Sequence, residues 1–176
     1  MNLDELLALL HGCAEFYDSS GDDGDPLPVL DHGLQCAALL AQEFPDDVEL
    51  QAAGLVHDVG HRIAPGESAR HGVIAADAVR PLLGERVAAL VELHVPAKRY
   101  LVTVDPAYRD ALSDGSTVSL ARQGGALSAE EKSTLDANPC LHDALALRRC
   151  DEGAKVVGLD VGHLEQWRPV LERVAR

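Results

Sequence analysis

His57 and Asp58 stand side by side in the string Leu55-Val56-His57-Asp58-Val59-Gly60-His61, an apolar run interrupted by ligand-type residues. His32 precedes them, and His71, His94 and Asp151 follow. Imidazole and carboxylate together suit iron, manganese or zinc, and one carboxylate can bridge two ions. Apolar surroundings make unpaired polar groups costly, so residues of this kind are usually paired or metal-bound. A single helical histidine is more often an ordinary exposed or capped side chain. The whole ordered set, spread through a Leu/Ala/Val-rich chain, points instead to a buried metal site. His11, His142 and His163 fit no place in that order and read as surface or structural residues.

Two cations stand beside these ligands. Lys98 follows His94 by four, and Arg148 precedes Asp151 by three, spacings that share one helix face. A cation next to a metal ligand repels the metal unless an anion lies between them. A phosphonate or phosphate dianion would reconcile the two, with Arg suited to bidentate contact and Lys to a point contact. Ser116 and Ser119, at a helix start, can add hydroxyl and backbone donors. The plainer alternative is that Lys98 and Arg148 are solvated or paired with the many acids. Arg99 and Arg149 read as surface or structural cations.

Helices must position these residues. Leu3, Leu6, Leu7 and Leu10 repeat at helical spacing and predict a first helix to about Tyr17. The acidic, Gly-rich stretch from Asp18 to Pro26 is a loop. A second helix starts near Pro28 and runs to about Phe44. A third opens at Pro45-Asp46 and ends near Gly60, which places His57 and His61 one turn apart on one face. Glu67 to about Leu83 and Gly84 to Val95 predict two more. Pro96 breaks the pattern, so His94 projects from a helix end and Ala97 to Val104 starts anew. Asp105-Pro106 and Ser113 to Ser116 read as turns or N-caps, and Gly124-Gly125 ends a short helix. Ser128-Ala-Glu-Glu131 has capping-box spacing. Leu141 to Val156 and His163 to Val174 close an all-α chain with no strand pattern, repeat or linker.

Bulk properties narrow the function. The 176 residues match one domain with a full core. Aromatic residues are scarce, so Leu, Val and Ala must build that core, a composition that favours helices. A net charge of −14 argues against nucleic acid and anionic membranes as partners. Cys13, Cys36, Cys140 and Cys150 form no C-x-x-C pair and read as free thiols of a reducing cytoplasm. The acidic start Met1-Asn2-Leu3-Asp4-Glu5 lacks a basic signal-peptide region, and no apolar run approaches the ~20 residues of a membrane span.

His32, His57-Asp58 and Asp151 match the metal-binding pattern of the HD-domain superfamily, and His71 and His94 resemble those of members that hold two metals. The segments His94-Val-Pro-Ala-Lys-Arg-Tyr-Leu101, Asp105-Pro-Ala-Tyr108, Ser119-Leu-Ala-Arg-Gln-Gly-Gly125 and Leu147-Arg-Arg-Cys-Asp151 are similar to HD proteins of phosphonate breakdown. That branch includes the di-iron oxygenases of 2-amino-1-hydroxyethylphosphonate and of its trimethylammonio counterpart. The match is clearest over 25–157. It implies one HD-domain helical bundle over 1–176 with two irons, Fe(II)/Fe(III), in its core. It further implies His32, His57 and Asp151 on one iron, His71 and His94 on the other, and Asp58 as the bridge. His61, Lys98, Ser116, Ser119 and Arg148, with Gln123 as an addition, would surround the phosphonate. Dioxygen would be the co-substrate, and phosphate and a carboxylate the products.

The family's Tyr-x-x-Glu lid before the first histidine is not matched. Asp25 holds the Glu position and Asp22 the ungapped Tyr position, while Tyr17 would serve as lid only through a longer loop. Tyr17 as lid ligand and Tyr17 as helix-end packing residue both stay open. Asp18, Asp22, Asp23 and Asp25 could attract an ammonium group or simply form a solvated loop. The same ligands would also serve a phosphohydrolase that works with manganese or another divalent ion and a metal-bound hydroxide.

Overall fold

The computed structural model describes residues 1–18 and 26–176. Ten α-helices and one 3₁₀ turn make up the described chain, with no strand among the described residues. The bundle is formed chiefly by α2 (Val29–Glu43), α3 (Val48–Val56), α5 (His71–Val104) and α9 (Leu141–Gly153), which pack on one another. The short α4 (Val59–Ile63) lies against α5, and α10 (Arg168–Val174) covers α3. α1 (Leu3–His11) packs through Leu6, Leu7 and Leu10. Leu, Val and Ala dominate the core, as the shortage of aromatics requires. None of the described helices is long and apolar enough to cross a membrane.

Local chemistry sets several helix ends. Asn2 caps α1 in a capping box with Glu5, and Asp47 caps α3 through the Leu50 N–H. Asp105 caps α6 (Pro106–Asp110), with Pro106 opening its first turn. Ser113 caps α7 (Asp114–Arg122), and Ser128 with Glu131 forms the expected box on α8 (Ala129–Asp136). The remaining 3₁₀ turn is Leu164–Trp167.

Four expected boundaries change. α1 stops at His11, because Gly12 caps it and turns follow, so Tyr17 lies beyond any helix end. Glu67 to Arg70 are turn, and α5 begins at His71. α9 ends at Gly153, so Ala154 to Val156 leave the helix. The third helix does not run on to Gly60. It ends at Val56, and Asp58 leaves helical geometry (φ −102°, ψ 3°) before α4 begins. His57 and His61 therefore do not share an unbroken helix, and the break lets His57 and Asp58 face the same point.

The largest correction concerns Pro96. It sits inside a helix, and His94 lies mid-helix. Proline removes one backbone donor, but Val91, His94, Ala97, Lys98 and Leu101 are buried at helical spacing on both sides of it, so packing carries the helix through. The true break in α5 is at Gly84, with φ 83° and ψ 177°, a backbone state that side chains strongly disfavour. A straight helix would separate His71 from His94 by roughly 35 Å at 1.5 Å per residue. Their Nε2 atoms are 2.7 Å apart, so the arms 71–83 and 85–104 fold back on each other at Gly84.

Candidate metal centre

Four histidines converge on the bundle core from separate elements: His32 from α2, His57 from the α3–α4 break, and His71 and His94 from the two arms of α5. All four are buried. Each has its Nδ1 at a backbone carbonyl: His32 to Ala154 at 2.8 Å, His57 to Gly54 at 2.8 Å, His71 to Ser68 at 2.6 Å and His94 to Val91 at 2.5 Å. A carbonyl only accepts, so each Nδ1 carries the proton and each Nε2 turns a lone pair inward. This tautomer lock is the usual support of metal-ligating histidines.

The inward atoms form two groups. Nε2 of His32 and His57 lies with a carboxylate oxygen of Asp151, and Nε2 of His71 and His94 with one of Asp58, all atoms of a group within 4.8 Å of one another. Asp58 faces both groups. Its Oδ2 is 3.5 Å from His32 and 3.3 Å from His57, while its Oδ1 is 3.1 Å from His71 and 3.5 Å from His94. Asp151 Oδ1 is 3.1 Å from His32. Two facing imidazole lone pairs at 2.7 Å repel unless a positive species lies with them, and His57 Nε2 is buried with no hydrogen-bond partner among the described residues. The donor set fits two divalent metal ions.

Electrostatics agrees. Burial opposes a charged His57, yet Asp58 and Asp151 outweigh it and raise it to about 9. Burial alone would raise Asp58, but His57, His71 and His94 hold its carboxyl well below the usual range. Burial would likewise raise Asp151, and Arg148 and His57 hold it low. The buried Asp151 and the half-buried Asp58 thus demand positive charge, which metal ions supply.

Beside the ligands lies a cavity of about 40 Å³ lined by His61, Lys98, Ser116, Ser119, Gln123 and Arg148, all six of the expected anion-site residues. His61 stacks on His71 at 4.0 Å between ring centres, and burial followed by the His71 charge lowers it to about 3, so it is a neutral imidazole. Lys98 donates to Ser119 Oγ at 2.8 Å, and burial, reinforced by Arg148, lowers it to about 7. Gln123 Oε1 is buried with no partner among the described residues.

Arg148 is held on every side. Its Nε donates to Tyr108 Oη at 2.7 Å, Nη1 to Asp151, and Nη2 to Glu152 and, at 3.1 Å, to Ser116 Oγ. The alternative of a paired arginine therefore holds as well, since its partners include the site's own acids. Arg99 pairs with Glu131 and Arg149 with Asp105, away from the ligands. His11, His142 and His163 are exposed.

Sequence reasoning missed Glu152, Lys155 and the role of Tyr108. Lys155 lines the cavity four residues after Asp151, a spacing that could have marked it. Glu152 carried no signal in a chain with 29 acids. Tyr17 is half exposed and is not among the residues lining the cavity, whereas its neighbour Asp18 is. Asp22, Asp23 and Asp25 lie outside the described residues.

An all-helical bundle that aims paired His/Asp groups into its core is the architecture of the HD domain, and the HD-domain model matches residues 29–149. The chain belongs to the HD-domain family. It is 37% identical over 171 residues to hydroxymethylphosphonate dioxygenase of Gimesia maris, covering 92% of this chain and 81% of that protein. It is 30% identical over 169 residues to the glycine-betaine-forming 1-hydroxy-2-(trimethylamino)ethylphosphonate dioxygenase of Leisingera caerulea, covering 90% and 86%. A 51-residue stretch, 27% of the chain, is 39% identical to a probable inositol oxygenase of Oryza sativa.

Proposed function

We propose that this protein is a di-iron dioxygenase that cleaves the carbon–phosphorus bond of a 1-hydroxyphosphonate, yielding phosphate and a carboxylate. The observation that carries the reading is Asp58, whose two oxygens each face a separate histidine group, beside a cavity walled by Lys98 and Arg148. In this reading His32, His57 and Asp151 would hold one iron and His71 and His94 the other, with Asp58 available to both. Bound iron would supply Lewis acidity and the one-electron steps that reduction of dioxygen requires.

The chain's own residues bind and orient. Lys98 gives the phosphonate a point charge, and Arg148 is pre-set by Tyr108, Ser116 and the acids of α9. Neutral His61 can donate one hydrogen bond or accept one at the cavity wall. The unpartnered Gln123 Oε1 is an acceptor for the substrate's 1-hydroxyl. The whole of 1–176 acts as one HD domain, and the free thiols suit a cytoplasmic setting. The likeness to enzymes named for hydroxymethylphosphonate and a trimethylamino phosphonate supports the substrate class.

The test is oxygen uptake together with phosphate release. Protein loaded anaerobically with ferrous iron is offered hydroxymethylphosphonate, racemic 2-amino-1-hydroxyethylphosphonate and its trimethylammonio analogue. Phosphate release matched by oxygen consumption is expected, and the three rates rank the substrates. Hydrolysis of phosphomonoesters with manganese and without oxygen would assign a phosphohydrolase instead.

A further inference from the structure

Three of the residues that would receive an oxyanion, Ser116, Arg148 and Lys155, are already bonded to an anion of the chain's own. Glu152 follows Asp151 on α9, and its side chain is only 12% exposed. Its Oε2 accepts from Arg148 Nη2, from Ser116 Oγ at 2.8 Å and from Lys155 Nζ at 3.4 Å. Its Oε1 accepts from the Ser113 N–H at 2.8 Å. The carboxylate thus ties α9 to the first turn of α7 and gathers two cations.

Proton bookkeeping shows what this does to the pocket. An ammonium has three protons to give, a guanidinium five and a hydroxyl one. Lys155 directs its protons to Ser113 Oγ at 2.9 Å, Ser116 Oγ at 2.6 Å and Glu152. Both Nη2 protons of Arg148 go to Ser116 and Glu152, its Nε proton to Tyr108, and one Nη1 proton to Asp151. The Ser116 hydroxyl gives its proton to Glu152, and the Ser119 hydroxyl gives its own to the Ser116 carbonyl at 3.1 Å. Lys98 makes one hydrogen bond, to Ser119, and so keeps protons in reserve. An arriving oxyanion therefore meets Lys98 directly but must compete with Glu152 for the Ser116 hydroxyl, for one Nη2 proton of Arg148 and for one proton of Lys155.

We infer that Glu152 is a positioning residue and an internal counter-anion. It holds Arg148, Lys155 and Ser116 in place between turnovers and competes with the bound oxyanion for them, which keeps the pocket's grip loose enough for phosphate to leave. Two carboxylates and an oxyanion sharing the same buried cations repel strongly, because the interior screens charge poorly. Removing the Glu152 charge leaves Arg148 and Lys155 undercompensated, a deficit that an anion fills.

This inference rests on the oxyanion reading of the cavity, and the experiment separates the two. The probe is methylphosphonate, a phosphonate without the 1-hydroxyl, titrated calorimetrically into iron-loaded protein without oxygen. Glu152→Gln keeps the shape and removes the charge, and is expected to bind the probe roughly tenfold more tightly than wild type. Glu152→Ala, tested in parallel, is expected to shift in the same direction and serves if the first variant does not fold. A merely structural Glu152 cannot tighten binding, so unchanged or weaker affinity in the folded variants overturns the inference. Lys98→Met is the control on the underlying reading: weaker binding upholds the oxyanion pocket, whereas undiminished binding removes that pocket and the inference with it.

Discussion

At the scale of the residue, proton inventory decides what each side chain can do. The histidines Nδ1-locked to carbonyls can only offer Nε2 lone pairs, and Asp58 is placed to answer both pairs of them. Lys98 shows how burial makes an anion grip depend on pH. Burial first, and Arg148 next, lower it to about 7, so it is charged below that pH and neutral above it. A bound dianion favours the charged form, so anion affinity must fall as pH rises through about 7. Sulfate keeps its charge over this range and isolates the lysine. Sulfate affinity is expected to fall by up to roughly tenfold per pH unit above pH 7, since one proton is linked to binding. The Lys98→Met protein should lose that slope. A wild-type profile as flat as the variant's would mean that Lys98 does not contact the anion.

At the scale of the element, the site depends on breaks and close approaches rather than on regular helix. The α3–α4 break aims His57 and Asp58 together, and the fold-back at Gly84 brings His71 to His94. Gly60 lets α4 touch α5: a Cβ there would stand 2.0 Å from the His71 carbonyl oxygen, which is backbone and cannot step aside. Gly60→Ala must push α4 and Asp58 away from His71. Overpacking of this kind typically costs about 1–3 kcal/mol, so thermal unfolding should shift down accordingly. The same displacement should reduce the metal bound per chain. A variant with wild-type unfolding and metal content would show that the two helices part without cost. These features also mark how far sequence reads. Capping residues such as Ser113 and Ser128 were legible, because a cap is set by its next three residues. The continuation of helix through Pro96 was not, because distant packing overrides the local penalty.

At the scale of the whole molecule, a chain with net charge −14 buries carboxylates and histidines at its centre, so metal ions should stabilise the fold as well as equip it. A ligand that binds only the folded state at 1,000 times its Kd adds about 4 kcal/mol. In a domain of this size that corresponds to a rise in Tm on the order of 10 °C. Chelation should reverse the rise in anaerobic scanning calorimetry, and a Tm indifferent to metal would dismiss the centre. The sequence by itself determined the all-helical class, the identity of the ligand-type residues and the cations that accompany them. Those follow from residue chemistry and short-range spacing, which a linear chain displays directly. Only the tertiary structure decided that Asp58 faces both histidine groups, that α5 doubles back, and that Lys155 lines the cavity while Glu152 pairs with it. These depend on where elements far apart in the chain come to rest, and spacing along a sequence carries no such distances.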